Sequence, residues 1–363
     1  MKWTSSKIAN LGRSRHQPKA LTKDNRGFTL IELLVVVVIA GGIVSGLMYL
    51  VVELLTADQK DSSRNQTQQE MQMAMDYMAA ELRQAVYIYD GQCMGSTVPA
   101  PTAVPGAQDT DGDNNLEPGE PGYCPGLLNH LPTSLAPVNG NYPIIAFWKQ
   151  QPIPNSVKTT CATNPSTAPT GFTSVNEFRG VCIAGHSYAL VVYSLNNSNA
   201  GGTWDGKARI ERYALTEFDS GGDRNVDEGY VSPGGFNHEF RSWPYYQASA
   251  DSESSSAPTN QQDGTVTGNS AALVDFVDFA SPGTETCPTG YSFTAPGGTL
   301  TTANSFYGCV SNSAERGENR EVILYLRGNA AGRPGIGSNS TAFLPTLETR
   351  VLSRPVISKP PIE

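Results

Sequence analysis

The sequence predicts an α+β fold: one long amino-terminal helix packed on an antiparallel sheet, with large disulfide-stapled loops. Three observations carry that prediction. Phe28 to Val52 is a run of 25 residues whose only charge is Glu32, and neither Gly nor Pro occurs from Ala57 to Tyr89. From residue 91 onward the chain turns rich in Gly, Pro, Ser and Thr, with short apolar or alternating runs between. Six cysteines, an even number, all fall in that later part.

The first element is a basic leader, residues 1–27. Lys2, Lys7, Arg13, Arg15, Lys19, Lys23 and Arg26 against Asp24 give it a charge of +6. Such an excess stays on the cytoplasmic side of a membrane. Taken from the chain's −9, it leaves −15 for residues 28–363, so everything past the membrane segment is expected to be exported and acidic. Non-specific binding to nucleic acid depends on neutralising phosphates, and no nucleic-acid partner is expected of such a surface.

The second element, 28–55, is the transmembrane half of the helix. At ~1.5 Å per residue, 25 residues suffice to cross a hydrocarbon core of ~30 Å. A carboxylate at that depth costs on the order of 2.5–3.5 kcal/mol, so Glu32 needs a counter-ion. The natural one is a free amino group made by cutting between Gly27 and Phe28. An ordinary secretory signal has a shorter apolar core, ~7–15 residues, ending at a small-residue site. A plain signal anchor with one stray glutamate is the alternative. Gly41-Gly42 weakens the helix by roughly 1 kcal/mol per glycine, permitting local melting or close helix approach.

The third element, 56–90, is the amphipathic half. Met71, Met75, Met78, Leu82, Ala85, Val86 and Tyr89 fall close to an i, i+3, i+4, i+7 pattern, with Gln72, Asp76, Glu81 and Arg83 opposite. Together the halves predict one helix of roughly 60 residues, ~90 Å long, ending at Asp90-Gly91. Packing on the chain's own sheet accounts for the stripe; the alternative is a partner-docking surface.

The head, 91–363, carries strand-like runs at Tyr142–Lys149, Tyr188–Leu195, Ala208–Leu215, Ala272–Ala280 and Glu321–Arg327. Alternation through Val274-Asp275-Phe276-Val277-Asp278-Phe279 predicts strands with one wet face. Asn196 to Gly202 reads as a hairpin loop, and segments 95–141, 150–180, 216–270 and 328–343 as long loops. An even cysteine count in an exported, oxidising setting favours disulfides. Of fifteen pairings, the sequential one, Cys93–Cys124, Cys161–Cys182 and Cys287–Cys309, is preferred because each pair encloses one Gly/Pro/Ser/Thr-rich excursion. Some free thiols are the competing reading.

The contiguous Gly27-Phe28-Thr29-Leu30-Ile31-Glu32-Leu33-Leu34-Val35 resembles the class III signal of type IV prepilins and type II secretion pseudopilins. The resemblance implies that prepilin peptidase cuts after Gly27 and that Phe28 is then N-methylated. It implies that Glu32 contacts the amino terminus of a neighbouring subunit during assembly. It further implies a pilin-like fold, other pilins or pseudopilins and an inner-membrane assembly platform as partners, and a single-pass inner-membrane protein with its head in the periplasm or, in a pilus, outside the cell. The leader is longer than in most major pilins, and Tyr49 stands where those usually have proline. A mature chain of 336 residues is large for a repeating subunit, and the last 54 residues lack a terminal disulfide loop. These departures point to a minor pilin or pseudopilin. The continuation Gln68 to Val86, with Val86-Tyr87-Ile88-Tyr89-Asp90-Gly91 and the large head, is similar to the cyanobacterial pseudopilin of hormogonium polysaccharide secretion, which implies polysaccharide export and gliding motility.

Outside the helix, the strongest site candidate is the run from Asp109 to Glu120. Read as a twelve-residue calcium loop, its ligands are Asp109, Asp111, Asp113, the Asn115 carbonyl, Glu117 and bidentate Glu120. Hard oxygen donors at alternate positions suit Ca2+, and Asn114 at the sixth position is the best residue after Gly for a left-handed backbone. A solvated acidic loop is the alternative. Catalysis has little support, and no enzyme is expected: His186 and Ser187 are adjacent, so on a strand they face opposite ways, and Asp275 and Asp278 are expected to face solvent. Trp204, Trp243, Tyr245 and Tyr246 suit stacking on sugar rings, which motivates a filament-tip module binding carbohydrate or a surface, although core or loop packing is the preferred reading of them. A membrane-anchored hydrolase would need a nucleophile–base motif that the sequence does not offer.

Overall fold

The computed structural model describes residues 27–353 except 105–106, 119, 137–139, 173, 200, 220, 225–228, 234–239, 246–258, 265, 269, 281–282, 284, 301–303, 313–319 and 342. The leader upstream of Gly27 lies outside the described residues. Helix α1 runs Leu30–Leu82, and the chain divides into two compact units, Met1–Thr56 and Ala57–Glu363.

In the first unit α1 opens with a side-chain cap. Thr29 Oγ1 accepts the Glu32 amide at 3.3 Å, and the Thr29 carbonyl takes the Glu32 and Leu33 amides. The Glu32 carboxylate sits in the first turn, where the helix dipole favours negative charge. The apolar side chains from Leu30 to Leu55 are all exposed, and the helix is long and apolar enough to cross a membrane.

The second unit is built on two antiparallel sheets. The first orders β1 (Ala85–Ile88), β2 (Asn141–Pro152), β3 (His186–Asn196), β4 (Ala208–Thr216) and β5 (Ala271–Val277) as neighbours. The second orders β6 (Tyr291–Phe293), β7 (Phe306–Ser311), β8 (Glu321–Arg327) and β9 (Thr346–Leu352). Three short helices interrupt them: α2 (Gly91–Met94), α3 (Asn155–Thr163) and α4 (Val175–Ala184).

The core explains the methionine stripe. Met71, Ala74, Met75, Met78, Ala79 and Leu82 bury in one cluster with Ile145, Phe147, Val191 and Ile210 of the first sheet and Val322, Leu324 and Leu326 of the second. Each large side chain so buried contributes about 1.5–3 kcal/mol. The other face of the first sheet buries Trp148, Leu190, Val192 and Leu215 beneath Leu127, Leu135 and Trp243 from the long loops. Disulfides join Cys93 to Cys124, Cys161 to Cys182 and Cys287 to Cys309.

Helix α1 ends earlier than the periodicity suggests. It stops at Leu82 rather than Tyr89, and Ala85–Ile88 forms a strand pairing Ala85 with Lys149 and Ile88 with Phe147. Leu82, Ala85, Val86 and Tyr89 fit a helical stripe, but the run Val86-Tyr87-Ile88 is β-branched and aromatic, and a waiting edge on β2 rewards extension. Glu81 also departs from expectation. It lies at the margin of the stripe, three residues after Met78, and is buried rather than facing solvent.

Segment 150–180, read as loop, holds α3 and most of α4. Ser174 Oγ accepts the Glu177 amide at 3.2 Å at the start of α4, and Gly185 at φ 66 ends it. That Ser-x-x-Glu signature is a helix start legible in the sequence. Strand β5 stops at Val277, and Phe276 takes φ 59 in the bulge between Val274 and Val277. Asp278 then turns inward, its amide donating to the Arg327 carbonyl.

Candidate functional site

The amino-terminal residues of α1 present the chemistry expected at a processing junction. Gly27 has open space around it, and Phe28 is 78% exposed. A peptidase can therefore reach the bond between them without rearranging a core. Glu32 is exposed, one helical turn beyond Phe28, and no cation among the described residues pairs with it. Cleavage after Gly27 would create an ammonium group at Phe28, of the charge that Glu32 lacks as a partner.

The acidic loop draws its carboxylates together. Asp109, Asp111 and Glu120 lie close enough for one ion, as do Asp111, Asp113 and Glu117, with ligand atoms within 4.8 Å of one another in each set. Asn114 adopts φ 66 and Gly112 φ 81, so the backbone curls around the side chains. Asp109 accepts the Gly112 amide at 2.6 Å and the Asn114 amide at 2.7 Å, while Asp113 accepts the Asn115 amide at 2.8 Å. Glu120 is buried. The Thr110 amide (2.6 Å), the Glu117 amide (2.9 Å) and the Thr110 hydroxyl (2.7 Å) hold its carboxyl down at about 2. Glu117 shifts the other way. Partial loss of water raises it, the Asn115 amide lowers it, and neighbouring Asp113, Asp111 and Glu120 raise it further. Asn115 gives its side-chain amide to Glu117 at 3.0 Å. This all-oxygen set fits a hard divalent cation such as Ca2+.

The other candidates disperse. His186 meets the Ala184 carbonyl at 2.8 Å and Gln150 at 3.1 Å, while Ser187 is buried on the other side of its strand. Asp275 accepts the Asp205 and Gly206 amides, and Asp278 is buried, taking Arg327 at 2.9 Å and Asn329 at 2.7 Å. The expectation that both aspartates face solvent is corrected: each serves as a local acceptor. Trp243 lies in the core and donates to the Val231 carbonyl, and Tyr245 packs edge-on against Tyr123 and His130. Trp204 is half-buried under Arg209, whose guanidinium carbon stands 5.0 Å from the ring centroid. Tyr246 lies outside the described residues.

One charged centre was not anticipated. Glu81 accepts the Arg212 guanidinium, the Lys149 ammonium at 2.5 Å and the Tyr193 hydroxyl. Burial pushes the Glu81 carboxyl up, but those three partners outweigh it, led by Arg212, and hold it at about 2. The network pins α1 to β2, β3 and β4 in one register.

Residues 22–48 match a family model described as the prokaryotic N-terminal methylation motif. The match contains Gly27, Phe28 and Glu32, and the chain carries the class III signal of type IV pilins and pseudopilins. Comparison with curated proteins and with solved structures finds no match.

Proposed function

We propose that this protein is a minor pilin or pseudopilin, a non-enzymatic subunit of a type IV pilus-like or type II secretion-like filament. The observation that carries the reading is the signal itself: a basic leader, Gly27-Phe28, and Glu32 in the first turn of an apolar helix, within the methylation motif at residues 22–48. Prepilin peptidase removes residues 1–27 on the cytoplasmic side, and the helix then waits in the inner membrane with its head in the periplasm. Glu32 pairs with the amino terminus of a neighbouring subunit as the assembly platform adds it to the filament. The large head and the resemblance of the helix continuation to the hormogonium pseudopilin support service in polysaccharide secretion and gliding motility. Calcium at Asp109, Asp111, Asp113, Asn115, Glu117 and Glu120 belongs to the same proposal as a structural ion, supported by its donor set.

Intact-mass measurement on protein recovered from cells tests this reading. The expected species begins at Phe28 and carries one added methyl group. A functional protein that keeps its leader would overturn the proposal. Glu32→Ala is expected to leave cleavage intact while abolishing incorporation into filaments.

A further inference from the structure

The outward face of the second sheet is aromatic where an antiparallel sheet packed on one side is expected to be polar. Phe306, Val310, Val322, Leu324 and Leu326 turn the other way, into the core with α1. Alternation along each strand then sends Phe293, Tyr307 and Tyr325 outward, and all three are half-buried. The register sets Tyr307 of β7 opposite Tyr325 of β8, and Tyr325 opposite Glu348 of β9. The two tyrosine rings stack with centroids 4.6 Å apart and planes 16° apart, and Phe293 meets Tyr307 edge-on at 5.9 Å. Neither the Tyr307 nor the Tyr325 hydroxyl is buried, and neither has a hydrogen-bond partner among the described residues.

The rim narrows the occupant. Burial raises the Tyr307 phenol, and Tyr325, Glu285 and Glu348 raise it further, which places both carboxylates beside the pair. Their charges are already answered in part. Arg350 stands 3.3 Å from Glu348 and 3.9 Å from Glu321, and Glu321 also accepts the Tyr291 hydroxyl at 2.6 Å. Glu285 accepts the Gly283 amide at 2.6 Å and the Asn304 side-chain amide, while Arg327 pairs with Asp278 at 2.9 Å. A polyanion would set its charge against Glu285, Glu321 and Glu348, which disfavours it. A basic peptide would compete with Arg350 for two of those three. An apolar protein ridge or a lipid chain would bury both phenol hydroxyls unbonded, at the desolvation cost of each. A neutral sugar meets every condition. The C–H bonds on one side of a pyranose carry slight positive charge and suit the negative face of an aromatic ring. Its hydroxyls give to and take from the phenols and use the spare lone pairs of the carboxylates.

We propose that the outward face of the second sheet, centred on Phe293, Tyr307 and Tyr325, binds a neutral pyranose glycan. Tyrosine suits the task because it offers a large amphipathic surface with few rotatable bonds to freeze. The site uses no residue of α1, so it stands independently of the filament reading. It is also distinct from the aromatics that the sequence singles out, since Trp243 and Tyr245 pack within the head and Trp204 lies under Arg209.

The test titrates the full-length chain, held in phosphatidylethanolamine–phosphatidylglycerol nanodiscs free of sugar detergent, by calorimetry. The probes are cellohexaose, maltohexaose and mannohexaose, with an alginate hexamer and hexalysine as charged comparisons. Binding of at least one neutral hexasaccharide is expected, with little dependence on salt. Tyr325→Ala is expected to weaken it about tenfold. Tyr325→Phe keeps the ring and removes the hydroxyl, and is expected to weaken it about threefold while melting with the native chain. That variant separates a lost contact from a lost fold. Binding of no probe, binding of the charged probes alone, or neutral binding unchanged by both substitutions overturns the proposal.

Discussion

Glu81 of α1 accepts two hydrogen bonds from the Arg212 guanidinium of β4, at Oε2 from Nε (2.9 Å) and at Oε1 from Nη2 (2.8 Å). The fork matches the carboxylate, and Lys149 and Tyr193 use the remaining acceptor capacity. A helix packed on a sheet by methionines alone has many near-equivalent positions, because Met adapts to irregular gaps. The ionic fork admits one.

Removing Glu81 leaves Arg212 and Lys149 half-buried without an anion. Glu81→Ala is expected to destabilise the head by about 3 kcal/mol, read as a lower midpoint in denaturant with an unchanged slope. A change within a few tenths of a kcal/mol would show that the network adds nothing.

The same carboxylate sets an acid limb. Its folded pKa, about 2, lies below the unfolded value of 4.5. Its stabilisation is therefore present above pH 4.5 and is lost as pH falls towards 2, about 3 kcal/mol over that window. Melting temperatures measured from pH 7 to pH 2 are expected to drop steeply below pH 4.5 in the native chain, and less so in Glu81→Gln.

Glu217 has the opposite sign. Burial raises its carboxyl, the Arg224 guanidinium at 3.4 Å lowers it, Glu177 raises it again, and the result is about 7. The folded state holds the proton more tightly than the unfolded chain, so stability falls as pH rises from 4.5 through 7. Glu217→Gln is expected to remove that slope and to match or exceed the native chain at pH 8. A variant less stable than the native chain at pH 8 would contradict the assignment.

The Cys161–Cys182 bond, of sequence separation 21, ties α3 to α4, and among the described residues the buried core beneath them is small: Ile153, Val157, Phe178 and Phe218. Replacing both cysteines by serine is expected to cost about 3 kcal/mol and to expose this excursion to proteolysis before the sheets. Equal protease resistance in both forms would show that the small core suffices.

At the 109–120 loop, calcium is expected to raise the melting temperature by several degrees over chelator-treated protein, and Asp111→Ala, which removes the residue common to both carboxylate sets, to abolish the difference. A melting temperature indifferent to chelator would leave the loop a solvated turn.

The residues that speak locally were legible in the sequence. Gly27, Phe28 and Glu32 declare themselves by spacing, because a lone carboxylate in an apolar helix has few reasons to exist. Asn114 could be read as left-handed from residue type alone. The five apolar runs at β2, β3, β4, β5 and β8 are strands because β-branched and aromatic residues pack on a pleated surface. Weaker strands were missed. Tyr291–Phe293 is three residues long, and Thr346–Leu352 is an edge strand whose inward positions alternate with exposed Glu348 and Arg350 but include Thr349, so only Leu347 and Val351 carry the apolar signal.

Sequence alone thus determined that this chain has a class III signal, a membrane-length apolar helix and a methionine stripe suited to meet a sheet. Those properties depend on periodicity and charge over neighbouring residues. Tertiary structure alone decided where α1 ends, since Ala85–Ile88 fits either backbone state until β2 offers hydrogen bonds. It likewise decided that Glu81 is buried, because its partners Lys149, Tyr193 and Arg212 reach it only when three strands lie beneath the helix. A carboxylate at the margin of an apolar stripe is driven into water or into the core by the cations that folding brings to it.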